Sequence, residues 1–318
     1  MKGSFMRLSL FSFLKKKGIL GMNNRNLNYI SRYNQRKLYR FVDDKLRTKK
    51  LAQEKGLSVP KLIDVIERQY DILFILQDLQ KREQGFCIKP VHGSGGKGIL
   101  VIKSVKEGLF YKTSGETLTI NNIARHCSNI LSGIFSLSGE PDKILIEALI
   151  QVDEMFTNIS YEGIPDVRII VFQGFPVMAM LRCSTRDSDG KANLHQGAIG
   201  IGLHICTGKA IQAVKNNRVI IHHPDTKETF DFLSIPQWDR LLFLASQCYD
   251  MTLLGYLGVD IVMDKEKGPL ILELNARPGL SIQIANNEGL LPRLKLIESL
   301  DNINISIEDK IQFIKENF

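Results

Sequence analysis

The stretch Gly258–Gly279, GVDIVMDKEKGPLILELNARPG, sets the frame for the whole chain. Two short apolar runs, Val259–Met263 and Leu270–Leu274, flank a polar segment closed by Gly268, which is the pattern of a β-hairpin. With Met263 facing Leu270 across the turn, Asp260 falls opposite Glu273, and alternation along the second strand puts Asn275 on the face of Glu273. A slip of one residue would scatter the three. Two carboxylates about 4 Å apart repel by roughly 4 kcal/mol at an effective dielectric of 20, so such a pair calls for a cation. Oxygen ligands without His or Cys point to Mg²⁺ shared with the phosphates of a nucleotide rather than to zinc. The alternative is an acidic hairpin rim with solvated charges.

Composition bounds the rest. The chain has 318 residues, 44% apolar and 24% charged, room for two or three small domains or one composite domain with a sizeable core. Its five cysteines, Cys87, Cys127, Cys183, Cys206 and Cys248, are widely spaced with no C-x-x-C pair, as expected of free thiols in a reducing compartment. No run approaches the roughly 18 apolar residues of a membrane span. The apolar N-terminal FMRLSLFSFL is interrupted by Arg7 and followed by Lys15–Lys17, the reverse of a signal peptide, so a cytoplasmic location is expected. Of the net charge of +8, residues 1–60 carry fifteen Lys or Arg against three acids. That segment could attract RNA, an anionic membrane surface or an acidic substrate, but no RNA-binding motif accompanies it, and no specific nucleic-acid partner is expected.

In chain order, an amphipathic start (Phe5, Leu8, Phe11, Phe13, Leu14) precedes apolar positions at helical spacing from Leu27 to Val42, which predict helices and no strand. A helix follows from Lys45, stopped by Gly56 ahead of Pro60. Phe86–Ile102, FCIKPVHGSGGKGILVI, reads as strand, glycine-rich loop and strand. Its Gly93, Gly95, Gly96 and Gly98 leave backbone amides able to cradle phosphate oxygens, with Lys89 adding charge; an ordinary hairpin is the alternative. The spacing matches neither a P-loop nor a dinucleotide fingerprint. A helix is predicted over Thr117–Leu131 and a strand over Lys143–Ile150, where a buried Glu147 needs a donor that an adenine amine would supply. Strands Asp166–Phe172 and Pro176–Arg182, joined at Gln173-Gly174-Phe175, carry Arg168 and Arg182, suited to phosphate or carboxylate or else to salt bridges with Asp166 or Asp187. Gly190–Gly202 reads as a mobile loop displaying Asn193 and His195. In His222-His223-Pro224-Asp225 a turn is favoured over a metal site. A long helix, Pro236–Leu257, leads into the hairpin.

With these pieces in this order the chain resembles the ATP-grasp superfamily, and within it the RimK-type α-L-glutamate ligases and their glutamate-ligase-like relatives. The likeness is closest in ANLHQGA (Ala192–Ala198), DVR (Asp166–Arg168) and the hairpin, and it covers roughly residues 20–300. It implies an α/β (α+β) ATP-grasp fold, two α/β subdomains sandwiching ATP, divided as a basic helical segment 1–44, a small subdomain 45–150 and a large subdomain 151–318. In place of a full Rossmann-like domain before the ATP-grasp core it leaves only short basic helices, so an oligomer or a partner protein is expected to complete the acceptor site.

The resemblance also implies roles. Lys45, Lys89 and the loop Gly93, Ser94, Gly95, Gly96 and Gly98 would hold phosphates. Glu147, Ala148 and Ile150 would line the adenine pocket, and Asp153 or Glu154 would reach the ribose. Asp260, Glu273 and Asn275 would bind two Mg²⁺, with Mn²⁺ as an alternative ion. Arg168, Arg182 and Arg277 would neutralise the transferred phosphoryl group, while Asn193 and His195 would position phosphate or substrate. The expected activity is an ATP- and Mg²⁺-dependent carboxylate–amine ligation through an acyl phosphate, with glutamate or another amino acid as substrate and an amine or peptide as acceptor. The alternatives are a phosphotransferase that forms no amide and a non-catalytic nucleotide-binding protein.

Overall fold

The computed structural model describes residues 12–93, 95–136 and 139–318, so Ser94 and the apolar positions Phe5, Leu8 and Phe11 lie outside the described residues. The chain forms two compact units, the smaller from Asp43–Val152 with Asp264–Glu266, the larger from the described part of Met1–Val42, Asp153–Met263 and Lys267–Phe318. No helix among the described residues is long and apolar enough to cross a membrane.

The smaller unit is one antiparallel sheet, built from β1 (Leu62–Ile66), β2 (Gln84–Pro90), β3 (Leu100–Lys106), β4 (Leu109–Lys112), β5 (Thr117–Leu118) and β6 (Ile144–Ala148) in the order β1-β6-β2-β3-β4-β5. Alternation divides its faces. Phe86 and Ile88 of β2 and Ile144 and Ile146 of β6 enter the main core with Ile72, Leu76 and Leu79 of the helix Asp71–Gln80 and Ile123, Cys127 and Ile130 of the helix Ile120–Leu131. The opposite face carries Cys87, Lys89, Leu145 and Glu147, and there Leu145 packs with Val91 and with Leu46 of the helix Lys45–Glu54. That helix ends as expected, with Gly56 in the left-handed region at φ +71°. The helix predicted from Thr117 instead starts at Ile120, because Thr119 caps it in a reciprocal box with Asn122 and the two preceding residues join the sheet.

The larger unit holds a seven-stranded sheet of β7 (Asp166–Phe172), β8 (Phe175–Cys183), β9 (Ile199–Leu203), β10 (Ala210–Lys215), β11 (Arg218–Ile220), β12 (Tyr256–Asp264) and β13 (Gly268–Asn275), ordered β11-β10-β9-β8-β7-β12-β13. The β12–β13 hairpin turns at Lys265–Lys267, where its sequence predicted. Two-residue turns with both central residues at positive φ, Gln173-Gly174 and Asn216-Asn217, join β7 to β8 and β10 to β11. The helix predicted over Pro236–Leu257 is shorter, Trp238–Thr252: Leu253 turns left-handed at φ +57° and Tyr256 already starts β12. The helices Trp238–Thr252 and Ile307–Asn317 pack on β7 and β8.

The N-terminal helices over 22–43 belong to the larger unit through residue 42. Tyr29 and Tyr33 meet the Phe172 ring edge-on, at 5.6 and 4.9 Å between centroids. Buried Asn34 is the fastener. Its Oδ1 accepts from Tyr256 N at 2.8 Å and its Nδ2 donates to Tyr256 O and Ala276 O at 2.7 and 3.1 Å, tying the start of β12 to the end of β13. Asn34→Ala strands three backbone groups, and we expect a loss of about 2–4 kcal/mol, read as a lowered thermal midpoint. An unchanged midpoint would mean that Asn34 does not anchor the segment.

Candidate functional site

Four charged side chains share one face of the large sheet. Asp166 pairs across strands with Arg182, and Arg168 with Asp260, and directly opposed residues present their side chains on the same side. Arg168 grips Asp260 through Nε and Nη2 at 2.7 and 2.6 Å, and Arg182 grips Asp166 the same way at 2.6 and 2.8 Å. Arg182 Nη2 also donates to Asp260 Oδ2 at 2.8 Å, closing the row Asp166–Arg182–Asp260–Arg168. Of the two salt bridges expected as alternatives, the one to Asp166 forms, while Asp187 pairs with Lys215 and Arg168 takes Asp260 instead.

Burial pushes the Asp166 carboxyl up to about 6, against the pull of Arg182 and with the charge of Asp260 adding to the rise. Burial also pushes Asp260 up, but Arg168 and Arg182 outweigh it and hold that carboxyl below its ordinary range. A carboxylate offers about four lone-pair sites, and the two arginines use three of those on Asp260. One acceptor site on Oδ1 is left. On the adjacent strand β13, half-buried Glu273 and Asn275 lie two residues apart on one face, and Asn275 Oδ1 accepts from Arg277 N at 2.8 Å. Arg277 is exposed, its guanidinium 5.3 Å from the centre of the Tyr39 ring.

Two carboxylates and an amide oxygen are hard donors, the set suited to Mg²⁺ bound through one or two carboxylates with phosphates completing its shell. On donor chemistry Asp260, Glu273 and Asn275 therefore fit such an ion. Among the described residues no three His, Cys, Asp or Glu side chains group as a metal centre. His223 in particular is structural: it is buried, its ring Nε2 donates to Ser184 O at 3.1 Å, and Nδ1 accepts from the amides of Asp225 and Thr226. The turn favoured for this segment is thus the one present.

The loop after β8 is organised by its own side chains. Asn193 Oδ1 accepts from His195 N at 3.0 Å and starts a single helical turn, Leu194–Gln196, that Gly197 ends at φ +97° and that leaves His195 exposed. Asp153 likewise caps the turn Glu154–Phe156 by accepting from Met155 N at 3.1 Å.

In the small unit Glu147, expected to face an adenine amine, has donors from the protein itself. Lys49 Nζ and Lys89 Nζ each lie 2.6 Å from its carboxylate oxygens, and Glu147 and Lys49 are both buried. Lys89, expected on phosphates, thus stands against Glu147. Burial pushes the Glu147 carboxyl up, but the neighbouring ammoniums more than reverse this and hold it low, while burial pulls the Lys49 ammonium down. Lys45, one helical turn before Lys49, donates to Gly93 O at the mouth of the glycine loop. Within that loop Gly95 and Gly96 have φ of +63° and +76°. Gly93 and Gly98 are glycines also for packing, since a Cβ would fall 2.3 Å from Pro90 Cγ or 2.7 Å from Phe135 Cγ. His92, left without a role by its sequence, is fastened to Asp142 through both its amide and its ring Nδ1. Ala148 N donates to Lys61 O, and Ile150 is half-buried. Lys49 is the residue that sequence reasoning missed; its place one turn after Lys45 on the same helix face was the available signal.

A family profile for sugar-transfer associated ATP-grasp proteins matches residues 24–299. A probable α-L-glutamate ligase of Maridesulfovibrio salexigens is 23% identical over 239 residues, 74% of this chain and 56% of that protein. The chain thus spans little more than half the length of this relative. Among solved structures, the D-cycloserine synthetase DcsG is 15% identical, covering 82% of this chain and 71% of that one with a TM-score of 0.48. The ATP-grasp ligase PsnB complexed with a minimal precursor is 16% identical, covering 82% and 60% with a TM-score of 0.45.

The Glu147 cluster yields a prediction with a definite sign. A carboxyl held low in the folded state contributes stability that is present above its unfolded pKa, about 4.3, and lost as the pH falls through the lower folded value. Glu147→Gln leaves two lysines on that face without their counter-charge and should cost about 3–5 kcal/mol at pH 7. The gap between wild type and variant should shrink below about pH 4, as read by amide exchange in β2 and β6. A gap constant from pH 7 to 3 would contradict the assignment.

Proposed function

The chain belongs to the sugar-transfer associated ATP-grasp family, and from that membership we propose that it is an ATP- and Mg²⁺-dependent carboxylate–amine ligase, with glutamate or another amino acid as one substrate. The acid's carboxylate attacks the γ-phosphorus and releases ADP; the amine then attacks the acyl phosphate, forming the amide and releasing phosphate. Such chemistry asks a protein mainly for positioning and charge neutralisation. The observation that carries the reading is the arginine pair, braced by Asp166 and Asp260, in the same sheet as β13 with its Glu273 and Asn275, with β12 and its Asp260 lying between β7 and β13.

Glu273, Asn275 and the remaining acceptor site on Asp260 would hold the ion. Bound Mg²⁺ would supply charge neutralisation to the phosphate oxygens. Arg168 and Arg182 keep their forks aligned because carboxylates hold them, so little reorganisation is needed as negative charge builds nearby. Arg277, exposed on the segment after β13 and set over the Tyr39 ring, would add a third cation to the pair. Asn193 holds the turn that displays His195 for contact with phosphate or substrate. In the small unit, Lys45, Lys89 and the glycine loop serve the phosphates, with Glu147 acting on Lys89 as its anchor. Ala148 and Ile150 would border the adenine, with Asp153 or Glu154 on the ribose.

The test is ADP release by the purified protein with Mg²⁺-ATP and a panel of amino acids and short acidic peptides, with products weighed by mass spectrometry. We expect release that depends on an amino acid, a product heavier by one residue, and a loss of at least about 100-fold in Glu273→Ala, in line with removal of a transition-state charge contact. The circular dichroism spectrum should stay unchanged. Full turnover by a folded Glu273→Ala would overturn the metal assignment.

A further inference from the structure

The larger unit contains an open cavity of about 1140 Å³, wider than most small-molecule pockets, which run to about 1,000 Å³. One wall is the N-terminal strap, with Phe13, Leu14 and Met22; the floor is Val214 of β10 and Val219 of β11; the far wall includes Ile284. These are large apolar side chains facing solvent, with Phe13 55% and Met22 and Val219 each 64% exposed. Apolar surface of this extent that no other described residue covers marks a binding site more often than an ordinary surface.

The charge of the lining is one-sided. Lys17 and Arg25 carry it, and no Asp or Glu among the described residues lines the cavity. Arg25 donates to Pro278 O and to the side chain of Asn26, both neutral, and Lys17 is exposed without an ion pair among the described residues. An anion is the complement of such a lining, and an apolar body is the complement of its walls.

The cavity is a built feature. Gly289 N donates to Lys17 O and Leu291 N to Gly18 O, while the Gln283 amide bonds both the N–H and the C=O of Leu20. At Gly289 a Cβ would lie 2.1 Å from the backbone of Gly18, so only glycine allows the strap to seat this closely. The floor also continues into the charged row. Val219 pairs with Val214, Val214 with Gly200, Gly200 with Arg182 and Arg182 with Asp166, so all present their side chains on one face of the sheet. Over Gly200 lies the Leu194 side chain, whose Cδ2 a Cβ there would meet at 2.9 Å, so Leu194, itself part of the cavity lining, is the group that stands between the floor and Arg182.

We propose that this cavity binds a single-chain anionic amphiphile, a carboxylate or phosphate head on an alkyl or aryl body, with the head at Lys17 and Arg25 and the body against Phe13, Val214 and Val219. It deepens the ligase reading and rests on it for the fate of the ligand. With a carboxylate head the amphiphile is the acid that takes the γ-phosphoryl group of ATP, and the amino acid's amine then displaces phosphate from the acyl phosphate to form the amide. A phosphate head makes the ligand a bound analogue that does not react.

Calorimetric titration of the full chain tests this, with n-decyl phosphate below its micellar threshold as probe, decyl glucoside as the neutral tail control, inorganic phosphate as the head control and Mg²⁺-ADP titrated separately. We expect one decyl phosphate per chain, bound well ahead of either control, and weakened about tenfold or more by Lys17→Glu and by Val219→Asp, both exposed positions. Lys103→Glu, an exposed lysine of the small unit, should bind as wild type does. Equal binding of decyl glucoside, full binding by both variants, or uptake only by anionic vesicles would overturn the proposal. If Mg²⁺-ADP binds and decyl phosphate does not, the cavity assignment falls and the ligase reading stands. If decyl phosphate binds and Mg²⁺-ADP does not, the cavity assignment stands and the ligase reading falls.

Discussion

The buried row Asp166–Arg182–Asp260–Arg168 is the constraint on which the large sheet depends. Two carboxylates and two guanidiniums sum to zero, and only that cancellation lets three adjacent strands carry four charges on one face. Stability alone does not explain the row, because apolar residues of similar volume often serve a core as well or better. What the charges add is direction: each bidentate contact fixes the plane of a guanidinium as well as its position. The shared donor Arg182 also couples the strands, since moving β12 relative to β8 would break its bond to Asp260 and leave a buried carboxylate short of a partner.

The small unit solves a related problem with the opposite surplus. Glu147 between Lys49 and Lys89 leaves one net positive charge on a face otherwise built of Leu145, Val91 and Leu46. Lys45 then adds a second cation beside the glycine loop. In the large unit, by contrast, the two carboxylates and two guanidiniums of the row cancel. A surplus of cations suits phosphates and a surplus of carboxylate suits a divalent ion. Glu147 holds the Lys89 ammonium 2.6 Å away and so fixes where it stands on this face.

Much of this was legible from local pattern. The β12–β13 hairpin announced itself through two apolar runs about a Gly-closed turn, and the β7–β8 pair through Gln173-Gly174, because these signals depend on neighbours in sequence. Residues 61–85 carried no sequence-based assignment, although Ile72, Ile75, Leu76 and Leu79 have helical spacing; β1 there has a burial pattern too irregular to read as a strand. The partners of the charged residues were less accessible. That Glu147 needed a donor followed from its apolar surroundings, but naming Lys49 and Lys89 required the packing of a helix on the sheet. That Arg168 would take Asp260 required the register of β7 against β12, more than ninety residues apart in the chain. The extent of the larger unit was hidden for the same reason, since its N-terminal part is held by Asn34 bonding to Tyr256 and Ala276.

The central claim is that the charged face activates a carboxylate, and hydroxylamine trapping tests it most directly. With Mg²⁺-ATP and the acid substrate but no amine, hydroxylamine should intercept the acyl phosphate and give a hydroxamate in step with ADP. Hydroxamate equal to ADP is the result this account predicts. ADP formed with the acid present but without hydroxamate would show phosphoryl transfer to some other acceptor and would contradict it.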